Sequence, residues 1–252
     1  LGNNLYVVGA PGLSDFKGRV RIYPSGDWPV LVKADDGNPE DRLGYSVSVS
    51  GDAVIAGAPA FCEEEEEGAI YVFRPVTNGW SQHQKIAGEE WGDKFGYVVV
   101  ADGSTMAVGA PGTQSGGTVY LFTETASHDW AQLKKLGPSA GVEAYFGGAV
   151  AVWGDFAVVG APGSDFAGVD SGAAYVFERD PFDTDSWNKV KRLVPNDPGA
   201  GDKFGYAVAI NSDFIVVGAP FDDDNGQDSG SAYMFYRSHP EPDMWGQVVK
   251  LV

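Results

Sequence analysis

The chain has 252 residues, of which 35 are acidic and 17 basic, giving a formal net charge of -18 at pH 7. A surface this acidic repels nucleic acid, and no apolar stretch approaches the roughly 18 residues of a membrane-spanning helix, so neither a nucleic-acid partner nor direct membrane insertion is expected. The single cysteine, Cys62, excludes an internal disulfide, and the run of glutamates at 63–67 beside it discourages the thiolate that a catalytic cysteine needs.

Taken in chain order, the sequence repeats itself. It enters on an apolar run at 5–11 that closes with Gly9-Ala10-Pro11. The same tripeptide returns at Gly57-Ala58-Pro59, Gly109-Ala110-Pro111, Gly160-Ala161-Pro162 and Gly218-Ala219-Pro220, a period of roughly 50 residues. After each copy a Gly opens a second apolar run and a Trp follows, at Trp28, Trp80, Trp130, Trp187 and Trp245. Five residues after each comes a base, at Lys33, Lys85, Lys135, Arg192 and Lys250. The later copies are preceded by Leu43-Gly44, Phe95-Gly96, Phe146-Gly147 and Phe204-Gly205. These matches divide a single domain, 1–252, into units at about 1–33, 43–85, 95–136, 146–193 and 204–252.

Each unit reads as four short strands. In the last they fall at 204–210, 214–219, 230–236 and 245–252, rich in Val, Ile, Tyr and Phe, with Gly, Asp, Asn and Pro in the gaps and no helical period. The second run is apolar without alternation, as in Ile215-Val216-Val217, which fits a strand covered on both faces. The fourth mixes charge with its Trp, as in Ser81-Gln82-His83-Gln84-Lys85, which suits an outer edge. A four-stranded antiparallel meander sandwiched between neighbours is a propeller blade, so the expected fold is an all-β β-propeller of at least five blades. The first unit has no Phe-Gly strand. Its blade is therefore expected to lack the inner strand or to borrow one, and the chain to be a fragment of a longer polypeptide or a propeller whose ring further residues complete.

The order Phe-Gly, strand, turn, strand ending in Gly-Ala-Pro, then Gly-x-x-Tyr-x-Phe resembles the FG-GAP repeat. That family includes the β-propeller of integrin α subunits and many secreted or surface-displayed microbial propellers. The resemblance implies a secreted or cell-surface protein with an interaction role. Integrin-type repeats often carry an Asp-rich calcium loop between the first and second strands. Here those turns are short, as in Ser50-Gly51-Asp52 and Asn211-Ser212-Asp213, and one carboxylate cannot supply the roughly six to eight oxygens that calcium takes.

The acids are not spread evenly. In such a meander the loop between strands two and three and the loop to the next unit emerge on one face, and most acids fall in these two classes. The strongest candidate for a calcium site is the loop 222–228, with Asp222, Asp224, Asn225 and Asp228 as ligands, and Asp165 with Asp170 form a poorer version in the preceding unit. Trp91 and Trp153 stand outside the repeated Trp register and are the aromatics expected to contact a partner. His83, His128 and His239 do not cluster, and no Ser-His-Asp set, zinc spacing or phosphate loop is recognisable. The expected function is a non-catalytic interaction module that binds a protein or glycan through its acidic loop face. The alternatives are a structural subunit of an extracellular assembly or filament, and a carbohydrate-active enzyme working through two carboxyls about 5–10 Å apart.

Overall fold

The described residues of the computed structural model, 5–26, 28–59, 67–113, 115–138, 145–238 and 245–252, form strands and turns, and no helix occurs among them. Cys62, Glu63 to Glu66 and His239 lie outside them. Blade 1 consists of β1 (Tyr6–Gly9), β2 (Val20–Tyr23) and β3 (Val30–Val32). Blade 2 consists of β4 (Ser46–Ser50), β5 (Ala53–Ala58), β6 (Ala69–Val76) and β7 (Gly79–Ala87). Blade 3 runs β8 (Val98–Asp102), β9 (Thr105–Ala110), β10 (Thr118–Glu124) and β11 (Trp130–Leu136). Blade 4 runs β12 (Ala149–Trp153), β13 (Phe156–Ala161), β14 (Ala173–Arg179) and β15 (Trp187–Leu193). Blade 5 runs β16 (Ala207–Ile210), β17 (Phe214–Ala219), β18 (Ser231–Arg237) and β19 (Trp245–Leu251).

Every pairing is antiparallel between strands consecutive in sequence, so each blade is a simple meander. Blade 1 has three strands where the others have four, and β1 corresponds to the second strand of a full blade. The first strands line the axis, where β4, β8, β12 and β16 contact one another in succession. Hydroxyls knit two of them: Ser46 Oγ accepts from Val99 N–H at 2.9 Å, and Ser48 Oγ accepts from Ala101 N–H at 3.0 Å. In blades 2 to 5 the pairing of the third and fourth strands shifts register just before the motif Phe, at Val72/Phe73, Leu121/Phe122, Val176/Phe177 and Met234/Phe235. Such bulges strengthen the local twist of the outer strand.

Burial follows from having a neighbour on each face. Strands β5, β9 and β13 are buried along their whole length, whereas β17 alternates because only one face of blade 5 meets another blade. The Phe of each Phe-Gly step is the wedge. Phe95, Phe146 and Phe204 are almost wholly buried, each with a Tyr and a Phe of its own third strand around it, such as Phe204 with Tyr233 at 5.4 Å between ring centroids. The repeated Trp inserts toward the preceding blade: Trp245 meets Phe156 edge-on at 6.2 Å. Trp130, Trp187 and Trp245 are buried accordingly, but Trp28, in the first blade, is 89% exposed.

The Gly-Ala-Pro glycine and the Phe-Gly glycine meet each other across blades. A Cβ on Gly9, Gly57, Gly109 or Gly160 would lie 1.9–2.1 Å from the carbonyl oxygen of Gly44, Gly96, Gly147 or Gly205 in the next blade, far inside van der Waals contact. Those partner glycines in turn sit at φ of +87° to +93°, a region that L side chains resist. Among the described residues no other blade meets the last copy, and the nearest atom to a Cβ on Gly218 is Ala207 Cβ of its own blade, 3.6 Å away. The motif is thus a backbone-to-backbone contact between blades.

Candidate functional site

The meander places the loops between second and third strands, and the loops between blades, on one face. A direct contact joins the two classes: Lys250 Nζ, from β19, reaches Asp197 Oδ2 of the loop between blades 4 and 5 at 2.8 Å and Asp222 Oδ2 of the β17–β18 loop at 2.9 Å. The repeated base has the same job elsewhere. Lys85 reaches Asp36 and Lys135 reaches Glu89, each at 2.5 Å, while the ammonium lies 5.1–5.4 Å from the ring centre of the third-strand Tyr. The hydrogen bond from Lys85, and that from Lys135, hold the Asp36 and Glu89 carboxyls below their ordinary range. A Gln two residues after the Trp adds a second tie, as where Gln82 Oε1 accepts from Asp35 N–H at 3.0 Å. The outer strands of blades 2, 3 and 5 thereby clamp the loops that lead into their own blades, whereas Arg192 of blade 4 lies over the Phe166 ring of the β13–β14 loop.

This clamp decides the state of the loop 222–228. Asp222 is 2% exposed; its Oδ2 accepts from Tyr233 OH at 2.6 Å and its Oδ1 from Ser231 Oγ at 2.9 Å. Burial opposes its charge, but those bonds and Lys250 prevail and lower its pKa to about 2. Asp224 also turns to Lys250, at 2.5 Å. The centre on which Asp197, Asp222 and Asp224 converge is therefore filled by an ammonium. Burial opposes that charge too, but the bonds to Asp197, Asp224, Tyr233 and Asp222 hold it well above the ordinary lysine range.

The rest of the loop closes on itself. Asp223 Oδ1 accepts from the N–H of Asp228 at 2.7 Å, Asn225 N–H donates to Ser229 Oγ at 3.3 Å, and Asp228 has φ +52°. The poorer version repeats that geometry: Asp165 Oδ1 accepts from Asp170 N–H at 2.8 Å, with Asp170 at φ +53°. The alternating carboxylates are thus turn-closing acceptors and lysine partners, and among the described residues no group of three or more His, Cys, Asp or Glu side chains is placed to hold a metal ion.

The two Trp outside the repeat register are not brought together. Trp91 is 70% exposed on the acidic face, over a 330 Å³ groove with Asp41, Tyr71 and Lys85. Trp153 ends β12 on the opposite face and pairs with Phe156. That opposite face is tied by arginines: Arg74 bridges Asp52 and Glu124 of the neighbouring blade, and Arg237 reaches Glu178 at 3.6 Å. His83 and His128 pair with Asp129 and Glu124 on the same side.

What sequence reading missed lies at the axis of the acidic face. Tyr45, Tyr97 and Tyr206 each follow a Leu-Gly or Phe-Gly step, and Tyr145 precedes one. Because the first strands converge there, so do the rings. Tyr45 and Tyr97 stack obliquely at 5.0 Å, and burial, reinforced by the hydrogen bond with Tyr45, pushes the Tyr97 phenol well above its ordinary range. Tyr97, Tyr145 and Tyr206 line a 520 Å³ cavity with Gly148, Pro162, Gly163, Asp170 and Lys203. Tyr145 and Tyr206 remain 48% and 59% exposed, so the rings face outward as well as inward.

The residue before each Leu-Gly or Phe-Gly step, Arg42, Lys94, Tyr145 or Lys203, has φ between +55° and +67°. Of these, Tyr145 and Lys203 line the cavity, and Lys94 Nζ lies 5.9 Å from the centre of the Tyr145 ring. The recurrence of Tyr beside Phe-Gly was the signal available in the sequence.

Just behind the mouth, Asp93 is fully buried. Its Oδ1 accepts from Phe95 N–H at 2.8 Å, its Oδ2 has no hydrogen-bond partner, and burial pushes its carboxyl up to about 6 against the pull of the backbone donors.

No curated protein matches the chain. Among solved structures it is similar to a "putative 6-phosphogluconolactonase" of Bacteroides uniformis ATCC 8492, at a TM-score of 0.66 and 12% identity, over 100% of this chain and 68% of that one. At that identity the likeness concerns the fold alone. The FG-GAP repeat matches at residues 31–73, 80–122, 130–177 and 187–235. Each matched unit begins in or beside the fourth strand of one blade and ends in the third strand of the next, so successive units are joined by the contacts of Gly57 with Gly96, Gly109 with Gly147 and Gly160 with Gly205. The chain, all-β and bladed, belongs to the FG-GAP repeat family.

Proposed function

We propose that this propeller is a non-catalytic recognition module, secreted or displayed at a cell surface, whose ligand seats in the tyrosine mouth at the centre of the acidic face. The observation that carries the reading is the convergence of Tyr97, Tyr145 and Tyr206 on one open cavity of 520 Å³, within the roughly 300–1,000 Å³ of small-ligand sites. Aromatic rings left half exposed in such a concavity are contact residues rather than core. The cavity wall carries one carboxylate, Asp170, whereas glycoside hydrolysis works with two about 5–10 Å apart, so binding is favoured over catalysis.

The reading is tested with 3-fluorotyrosine in place of tyrosine and fluorine NMR, the mouth resonances being assigned by single Tyr→Phe variants. Titration with mixed oligosaccharides and with mixed peptides is expected to shift the signals of Tyr97, Tyr145 and Tyr206 and to leave Tyr236, at the far side of blade 5, unmoved. A ligand that shifts other tyrosines and spares these overturns the proposal.

A further inference from the structure

Resting on the reading that the tyrosine mouth is the contact surface, we infer that its ligand is a neutral oligosaccharide. The lining decides the chemistry. It consists of three tyrosines, one proline and small glycines, with a single cation, Lys203, and a single anion, Asp170. No Leu, Ile, Val, Met, Phe or Trp lines it, so it has no apolar hole of the kind that receives the buried anchor of a protein partner. A tyrosine offers an apolar face together with a polar hydroxyl. A pyranose presents the complement, an apolar face of C–H groups and a perimeter of hydroxyls that Lys203 and Asp170 serve as donor and acceptor.

Charge excludes the competitors from both sides. An anionic ligand must approach a chain of net charge -18 through its acidic face, where the field opposes it. A cationic peptide is drawn to that face but meets cations inside the mouth. Lys203 lines the cavity, and Lys94 already lies over the Tyr145 ring that a ligand cation would seek. A neutral ligand suffers neither repulsion. The open mouth and the run of rings around the axis suit a chain of sugars rather than a single one.

The test is calorimetric titration of the whole chain with neutral hexasaccharides of β-1,4-glucose, β-1,3-glucose, β-1,4-xylose and α-mannose, beside a hexauronate and a lysine-rich peptide. At least one neutral sugar is expected to bind. Tyr145→Ala and Tyr206→Ala are each expected to weaken it about tenfold or more, Tyr236→Ala to leave it unchanged, and Tyr206→Phe, which keeps the ring, to retain most of the affinity should the alanine variant fail to fold. If the hexauronate or the peptide binds through Tyr145 and Tyr206 while no neutral sugar does, the neutral-glycan inference falls and the mouth survives as the contact surface. If a neutral sugar binds unaffected by both alanine variants, the mouth falls as well. If none of the probes binds, the inference is overturned.

Discussion

Alanine at the motif glycine of blade 4 and of blade 5 makes the same chemical change in two different surroundings. At Gly160 the new Cβ would stand 2.0 Å from Gly205 O and 3.0 Å from Gly205 C, both backbone atoms that no rotamer can move. Ordinary contact begins near 3.4 Å, so blades 4 and 5 would have to separate by about 1.4 Å along the strip where Phe204 is wedged. Forcing extra volume into a packed interface costs about 1–3 kcal/mol or more. In a chain of this size, that lowers Tm by roughly 2–12 °C. At Gly218 the nearest atom, Ala207 Cβ, is 3.6 Å away and the backbone is not in the left-handed region. There alanine only removes the roughly 0.5–1 kcal/mol entropic handicap of glycine in a strand. Gly160→Ala is therefore expected to lower Tm and Gly218→Ala to leave it level or raise it slightly, in scanning calorimetry of the two variants beside wild type. Equal losses in both, or a tolerated Gly160→Ala, would refute the claim that the motif is a contact between blades.

Asp93→Asn is expected to stabilise the protein at neutral pH. The native carboxyl titrates near 6 and the unfolded one at 3.8, so between these values the native state binds more protons and stability falls as pH rises. The penalty is complete near pH 7 at about 3 kcal/mol, and denaturation of Asp93→Asn and wild type should converge near pH 4. The clamps have the opposite sign: Asp36 and Glu89 are held below their ordinary range, so their contribution is present above it and fades as acid protonates them, which a pH series of melting temperatures reads directly. Lys250→Met leaves the buried Asp222 without its counter-charge, a loss of about 3–5 kcal/mol by analogy with broken buried pairs. Calcium should restore part of that stability by mass action while leaving wild type unmoved; a wild-type Tm that rises with calcium would show that the ion displaces the ammonium.

The fold was legible because its determinants are periodic. Gly160, Phe204 and Trp245 recur at fixed places since each makes a contact that recurs from blade to blade, and a strand flanked by two sheets has no polar face to confuse the pattern. Trp28 is the instructive exception: the same letter in the same register is exposed because its partner is the preceding blade, which a periodic pattern does not reveal. The loop 222–228 shows a related limit of sequence reading. Its acids were visible side by side, whereas Lys250, which fills their centre, lies a strand pair further along the chain, and Asp223 and Asp165 work as turn closures that spacing does not distinguish from ligands. The mouth was hidden more thoroughly. Tyr45, Tyr97 and Tyr206 follow Leu-Gly or Phe-Gly while Tyr145 precedes Phe-Gly, and only the convergence of the first strands at the axis makes neighbours of them.

The most direct measurement is a crystal structure of the chain soaked with whichever neutral hexasaccharide binds in solution. The account predicts sugar density against the rings of Tyr97, Tyr145 and Tyr206, with hydroxyls within hydrogen-bond reach of Lys203 and Asp170. Density in the groove beside Trp91, or along the loop held by Lys250, with the tyrosine mouth unoccupied, would contradict it.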